Sequence, residues 1–182
     1  MRKLTHMLLA GTLILACSSC GVETTANYQV IPLPQEVALS QESPFNLNDG
    51  TIIAYPEHND LLKRNAEFWA EYISQSTGHT LQTEALAPGS EAPKGAITLG
   101  LDPAIGNREG YVLTVKADRV TLNGQTENGV FYGIQTLRKS IPAETKATSI
   151  LLPAGSIQDE PRFSYRGMHL DVGRHFFPIE FV

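Results

Sequence analysis

The sequence predicts an α+β domain over residues 28–157, in which a mixed or antiparallel sheet carries two helices on one face. Two segments repeat apolar residues at helical spacing, and several shorter segments between them alternate apolar and polar residues as strands do. The 182 residues, 42% hydrophobic and 18% charged, suffice for one domain with a packed core. A net charge of −5 without a Lys/Arg cluster disfavours nucleic acid as a partner.

The N-terminus has the layout of a bacterial export signal, with Arg2 and Lys3 ahead of a mostly apolar stretch over residues 7–16. This stretch is too short to cross a bilayer core, which needs about 20 residues in a helix. The run that ends in Cys17 resembles a lipoprotein signal, in which a small residue precedes the lipid-bearing cysteine. We therefore expect lipidation of Cys17, in preference to Cys20. Cleavage by the ordinary signal peptidase, with neither cysteine modified, is the alternative.

The domain boundaries follow from this interpretation. Residues 1–20 are predicted to be a lipoprotein-type signal peptide, and the small, polar residues 21–27 a tether to the folded domain. A redox or zinc pair of the two cysteines is disfavoured, because the chain has no other cysteine to complete a site. We expect an exported lipoprotein that reaches the membrane only through its lipid, on the periplasmic side rather than at the cell surface.

Strands are predicted where short segments alternate apolar and polar residues or are rich in β-branched residues. Ahead of them, residues 30–34 are expected to be extended, because each proline disfavours helix in the residue before it. The predicted strands cover residues 51–55, 81–84, 96–101, 111–116 and 119–123, the last two as a hairpin.

The first helix is predicted to begin after a cap at Asn59 or Asp60 and to run to about Thr77. Gly78 follows as the residue type favoured just past a helix end. One face of the helix is apolar and should pack on the sheet. That face holds Leu62, Ala66, Trp69 and Ile73, widened by Leu61, Phe68 and Tyr72. The spacing favours a core position for the tryptophan over a role as a sugar platform.

The second helix is predicted from Thr126 to the proline at position 142, which ends it. Its buried face should hold Val130, Ile134, Leu137 and Ile141. Gly129 and Gly133 lie four residues apart on this face. Because neither has a side chain, the helix should be able to approach the sheet closely there.

The segment after Ile157 is denser in Arg, His, Phe and Asp than the rest of the chain. Residues 166–172 are predicted to be a strand and residues 174–177 a loop that leaves it. Residues 158–182 thus have the pattern of the start of a further domain, and we expect their aromatic side chains to be exposed or packed on the first domain. Those side chains are Phe163, Tyr165, Phe176 and Phe177.

Residues 161–177 read Pro-Arg-Phe-x-x-Arg-Gly-x-x-Leu-Asp-x-x-Arg-His-Phe-Phe, which resembles the first barrel strand of the family 20 glycoside hydrolases, the β-N-acetylhexosaminidases. The Glu109-Gly110-Tyr111 hairpin and the helix around residues 128–137 resemble the small α+β domain that precedes the barrel in that family. The resemblance implies an accessory domain over residues 28–157, followed at residues 158–182 by the truncated start of a (β/α)₈ TIM barrel.

The resemblance also implies an activity. Family members remove terminal β-linked N-acetylglucosamine or N-acetylgalactosamine from glycans with retention of configuration, and the nucleophile is the substrate's own acetamido oxygen. The Asp and Glu that assist belong to the fourth barrel strand, so no catalytic residue is expected in this chain and the chain alone should be inactive. Asp159 and Glu160 are adjacent but precede the barrel strand, and we interpret them as solvated linker charges.

One substrate-binding residue is carried over from the resemblance. Arg166, before the motif's glycine, is expected to hold sugar hydroxyls with its fixed fork of donors; the alternative is an arginine that only bridges structural carboxylates. Asp171, Arg174 and His175 are possible site-shaping residues, although a buried salt bridge between the first two fits equally well. His169 is expected to be packed and hydrogen-bonded.

No cofactor and no metal are predicted, because His6, His58 and His79 lack metal-ligand spacing. The expected partner is a glycan with a terminal N-acetylhexosamine, and the sequence leaves the oligomeric state open. Two alternatives remain: a non-catalytic carbohydrate-binding or interaction module, and the accessory domain of another glycosidase family. An exposed row of aromatic residues on the sheet would favour the first alternative.

Overall fold

The computed structural model describes residues 22–142 and 147–181. The predicted signal peptide, with Cys17 and Cys20, lies outside the described residues. Within the described ranges the chain forms two helices, α1 (Asp60–Thr77) and α2 (Glu127–Ser140), and ten strands. The strands are β1 (Glu23–Thr25), β2 (Glu36–Leu39), β3 (Phe45–Leu47), β4 (Ile52–Pro56), β5 (Gln82–Leu86), β6 (Ala96–Leu101), β7 (Tyr111–Lys116), β8 (Arg119–Gly124), β9 (Ser149–Leu152) and β10 (Gly155–Asp159). Neither helix is long and apolar enough to cross a membrane.

Seven strands form one mixed sheet in the order β2-β10-β7-β8-β6-β4-β5. The pairs β4–β5, β4–β6 and β6–β8 are parallel, whereas β7–β8, β10–β7 and β2–β10 are antiparallel. Helices α1 and α2 pack against each other, and both contact β6, so they share one face of this sheet. The α+β class, the two helices and the β7–β8 hairpin are therefore confirmed.

Helix α1 begins and ends where the sequence predicts. The Asn59 side chain accepts a hydrogen bond from the Leu62 amide at 2.9 Å, which satisfies a free N–H of the first turn. At the other end Gly78 takes φ +84° and its amide donates to the Ser74 carbonyl. Trp69 is fully buried, which confirms the predicted core position.

Helix α2 lies close to the sheet because two of its residues lack side chains. A methyl group on Gly129 would overlap the carbonyl oxygen of Gly110, and one on Gly133 would overlap the side chain of Leu122. Val130, Ile134 and Leu137 of the same helix are fully buried against β8 and its neighbours. The close approach predicted from the two glycines is confirmed.

A second, three-stranded sheet in the order β1-β9-β3 was not predicted. Its strand β1 lies in the segment predicted to be a tether, and pairs in parallel with β9, Glu23 opposite Ser149. The residues after it are already part of the core, with Ala26 and Tyr28 almost fully buried. The tether interpretation is wrong for residues 23–25: backbone hydrogen bonds, which need no apolar side chains, hold this polar strand in place.

The strand predicted over residues 166–172 is not formed; the described segment 160–181 contains no strand. A strand is stabilised by hydrogen bonds to neighbouring strands, and none lies beside this segment in the described chain. Its side chains are exposed instead, among them Phe163, Tyr165 and Phe176 at 62%, 88% and 87%. Of the four rings expected to be exposed or packed on the first domain, these three are exposed, whereas Phe177 is half-buried and stacks on the ring of Phe181.

Candidate functional site

Arg166 is the predicted binding residue that makes the most contacts with the folded domain. Its Nη2 donates to Oε1 of Glu109 at 2.9 Å and to the hydroxyl of Tyr132 at 3.2 Å, while Nη1 donates to the Phe163 carbonyl at 2.7 Å. The guanidinium also lies 5.7 Å from the centre of the Tyr132 ring, within range of a cation–π contact. Of the five N–H donors of an arginine, three are used here and two remain for a ligand.

Two elements of the domain position the partners of this arginine. Glu109 lies in the turn before β7, where its own amide donates to the Asn107 side chain and the Gly110 amide donates to the Asn107 carbonyl. Tyr132 lies on α2, and its hydroxyl donates to the Glu109 carboxylate at 3.3 Å. The carboxylate is thus presented by a turn and a helix that both belong to the folded core.

The charges of the pair stabilise each other. The hydrogen bond from Arg166 is the main cause that lowers the pKa of Glu109, and the same bond raises the pKa of the arginine. The two side chains are 40% and 28% exposed, so water screens the attraction and the ion pair adds little to stability. Its contribution is positional: it holds the start of the 161–181 segment against α2.

A groove of about 660 Å³ lies beside this cluster. It is lined by the extended segment that includes Val30 and Leu33, by Tyr111 and Gln135, and by residues 161–163 with Arg166. Most of the lining is apolar. The side-chain nitrogen of Gln135 is buried and has no hydrogen-bond partner among the described residues.

The other predicted site residues are not brought to this cluster. Asp171, Arg174 and His175 are exposed, and Asp171 accepts a hydrogen bond from the Gly173 amide at 2.8 Å. The described part of the chain contains no ion pair between Asp171 and Arg174, so the buried salt bridge considered for them is not formed. His169, expected to be packed, is exposed as well. These residues belong to the segment that lacks neighbouring strands.

Asp159 and Glu160, interpreted as solvated linker charges, are partly ordered by one residue, Gln35, through its backbone and its side chain. The Asp159 carboxylate accepts a hydrogen bond from the Gln35 amide at 3.3 Å, and the Glu160 carbonyl accepts one from the Gln35 side chain at 2.7 Å. Asp159 ends β10 and is half-buried, whereas Glu160 is exposed. The pair fastens the last strand to the segment before β2.

One buried histidine, His79, has a structural role that its spacing in the sequence does not predict. His79 is 7% exposed, and its ring nitrogens lie 3.0 Å from Oδ1 of Asp49 and 3.0 Å from the Ala147 carbonyl. The same aspartate oxygen accepts the Thr80 amide at 2.9 Å. No group of three or more His, Cys, Asp or Glu in the described residues is placed to hold a metal. His79 thus joins the end of α1 to the loops before β4 and β9.

The described strands show no exposed aromatic row. Their aromatic residues, Phe45, Tyr55 and Tyr111, are all buried. The carbohydrate-binding alternative therefore lacks the observation that would have favoured it.

The family model described as "Glycosyl hydrolase family 20, domain 2" matches residues 27–160. The chain therefore belongs to glycosyl hydrolase family 20.

Relatives of known identity agree with this assignment. The chain is 37% identical over 157 residues to a β-hexosaminidase of Porphyromonas gingivalis, with 83% of this chain and 19% of that protein covered. It is 30% identical, with a TM-score of 0.69, to the solved family 20 β-N-acetylhexosaminidase of Streptomyces coelicolor A3(2), covering 84% of this chain and 30% of that one. A mutant Streptomyces plicatus β-hexosaminidase in complex with its product GlcNAc gives a TM-score of 0.70 at the same identity and coverage. The chain thus spans less than a third of these relatives.

Proposed function

We propose that this chain is the N-terminal part of an exo-β-N-acetylhexosaminidase, which removes terminal β-linked N-acetylglucosamine or N-acetylgalactosamine from glycans. Membership of family 20 carries the proposal, and the β-hexosaminidases named above support it. The GlcNAc bound by the Streptomyces plicatus enzyme supports an N-acetylhexosamine as the substrate.

The proposed reaction is a retaining, substrate-assisted hydrolysis. The acetamido oxygen of the substrate attacks its own anomeric carbon, a carboxylic acid protonates the leaving oxygen, and water then opens the cyclic intermediate. The acid and the aspartate that orients the acetamido group lie, in this proposal, on a (β/α)₈ barrel that residues 158–182 begin. The 182-residue chain alone is therefore inactive.

Within this proposal Arg166 binds hydroxyls of the terminal sugar. A guanidinium remains charged at any working pH and presents its donors in a fixed plane, so it can hold two neighbouring hydroxyls together. The two donors that the protein leaves free supply such contacts. The motif of residues 161–177 supports the role. Asp171, Arg174 and His175 are exposed and away from Arg166 in the 182-residue chain, and in this proposal they shape the rim of the sugar pocket once the barrel is complete.

The test compares Arg166→Ala with Arg64→Ala in the full-length gene product, using a chromogenic β-N-acetylglucosaminide. Hydrogen bonds to a charged group contribute roughly 1.5–3 kcal/mol each, so Arg166→Ala should lower kcat/KM by roughly 10²-fold or more. Arg64 is an exposed arginine on α1 that does not line the groove, so its replacement controls for the loss of a surface charge. Equal activities of the two variants would remove Arg166 from the binding site.

We further propose that the protein is an exported lipoprotein with its lipid on Cys17 and its folded part in the periplasm. The signal-like run that ends at Cys17 supports this. Growth with a labelled fatty acid should label the wild type and Cys20→Ser but not Cys17→Ser. Labelling of Cys17→Ser would contradict the assignment.

A further inference from the structure

The folded domain begins a few residues after Cys17. The Val22 carbonyl accepts hydrogen bonds from the Thr148 amide at 2.8 Å and from the Thr148 hydroxyl at 3.2 Å. Strand β1 follows directly and pairs with β9 from Glu23 onwards. Only residues 18–21 separate Cys17 from Val22. An extended chain advances by no more than about 3.6 Å per residue, so Val22 lies within about 18 Å of Cys17.

The three-stranded sheet lies at the end of the domain where both helices finish. The Ala147 carbonyl, just before β9, lies 3.0 Å from a ring nitrogen of His79, which follows the end of α1. The side chain of Asp49, which follows β3, contacts the other ring nitrogen. At the end of α2, the Ser140 carbonyl accepts the Asn27 amide at 2.8 Å. We call the sheet β1-β9-β3 and these two helix ends the β1 end of the domain.

The strand directions place Arg166 at the opposite end of the domain. Strand β10 begins at Gly155, three residues after β9 ends, and Gly155 pairs with Val115 near the end of β7. The end of β7 is therefore at the β1 end. Its start, Tyr111, is about 20 Å away, because six residues of an antiparallel strand span that length. Glu109, which accepts the 2.9 Å hydrogen bond from Arg166, lies two residues before Tyr111.

We propose that the short connection to Cys17 holds the β1 end against the headgroups of the bilayer that carries the lipid. The inference rests on the lipid anchor proposed above: with Cys17 in the headgroup layer, Val22 lies no more than about 18 Å above it. Val22 is 67% exposed and Thr148 is exposed, so the β1 end is open to such a surface.

This orientation has a consequence for the substrate. Arg166 lies about 20 Å beyond the β1 end, on the side of the domain that faces away from the bilayer. It is therefore available to glycan ends that lie beyond the headgroup layer, rather than to sugars on the headgroups of the anchoring bilayer itself.

Energy transfer to labelled lipids tests the orientation in the full-length lipoprotein, reconstituted in phosphatidylcholine vesicles with acceptor-labelled headgroups. A donor dye is attached through Thr80→Cys at the β1 end or through Ala104→Cys, three residues after β6 ends at the opposite end. Both positions are exposed, and other reactive cysteines are replaced by serine. Transfer should be several-fold faster from Thr80→Cys. Equal rates, or faster transfer from Ala104→Cys, would overturn the proposal.

A longer connection is the matched control. Twenty Gly/Ser residues inserted before Val22 form a flexible coil with an end-to-end distance of roughly 25 Å, which adds to the reach of the chain. The insertion should slow transfer from Thr80→Cys several-fold and leave the turnover of a chromogenic β-N-acetylglucosaminide unchanged. Unchanged transfer would overturn the proposal that the short connection sets the orientation.

Flotation with the vesicles tests the lipid anchor separately, with Cys17→Ser as the control that should not float. A wild type that does not float would refute the lipid anchor and the orientation with it. A wild type that floats and transfers equally from both dyes would refute the orientation alone.

Discussion

The close approach of α2 to the hairpin can be tested by replacing Gly129 with alanine. An added Cβ would lie 3.1 Å from the carbonyl carbon of Gly110 and from Cα of Gly124, and nearer still to the Gly110 oxygen. All of these are backbone atoms, so no side-chain rotation relieves the overlap. The same Gly110 oxygen accepts the Gln125 amide at 3.2 Å, and a shift of the turn would weaken that bond.

Two opposing effects determine how much Gly129→Ala changes the free energy of unfolding. Alanine is favoured over glycine within a helix by about 1 kcal/mol. Overpacking against a rigid neighbour costs about 1–3 kcal/mol, and the upper end applies where the obstacle is backbone. We therefore expect Gly129→Ala to lower the free energy of unfolding by roughly 2 kcal/mol, equivalent to a fall in Tm of about 4–8 °C for a chain of this size.

Urea unfolding of the 182-residue chain, followed by the fluorescence of its one tryptophan, Trp69, measures this change. The matched control is Asn128→Ala, at an exposed position in the same helical turn, where the added helix propensity meets no obstacle. A Gly129→Ala variant as stable as the control would refute the argument that the missing side chain permits this packing.

Two further stability predictions concern the ends of α1. Asn59→Ala removes the cap of the Leu62 amide and a 2.9 Å hydrogen bond to Glu127 on α2. The free energy of unfolding, measured in urea, should therefore fall by about 1–2 kcal/mol. An unchanged urea midpoint would contradict the capping role. The hydrogen bond from the Thr80 amide is the main cause that lowers the pKa of Asp49 below its ordinary value of 3.8, and the hydrogen bond with His79 is the second cause. The ionised carboxylate therefore stabilises the fold above that value, and this contribution is lost as the pH falls through the lower, folded pKa. The urea midpoint of the wild type should accordingly fall more steeply than that of Asp49→Asn as the pH is lowered below about 4, and parallel curves would contradict the prediction.

The sequence predicts best those elements whose signal is local. Helix α1 combines a cap at Asn59, a stop at Gly78 and an apolar stripe, and each of these signals depends only on residues that are close in sequence. Strand β1 has no such signal, because Glu23, Thr24 and Thr25 are polar and their place depends on β9, more than a hundred residues away. The strand expected at residues 166–172 has the right local pattern and still does not form, because it lacks neighbours to pair with.

In the candidate site, too, some residues can be predicted from the local sequence and others cannot. Arg166 could be singled out from the motif around it, but its partners could not be predicted. Tyr132 is 34 residues away and Glu109 is 57 residues away, on elements whose relative placement is decided by the packing of α2 on the sheet. The role of His79 could not be predicted for a related reason: its partners, Asp49 and the Ala147 carbonyl, are brought together only by the fold.

We propose above that this domain belongs to a retaining β-N-acetylhexosaminidase. The most direct measurement is the hydrolysis of a β-N-acetylglucosaminide by the full-length gene product, with the anomer of the released sugar followed by NMR from the first turnover. We predict hydrolysis that gives the β-anomer first, and none by the 182-residue chain. A folded full-length protein that leaves the substrate intact, or releases the α-anomer first, would contradict the proposed activity.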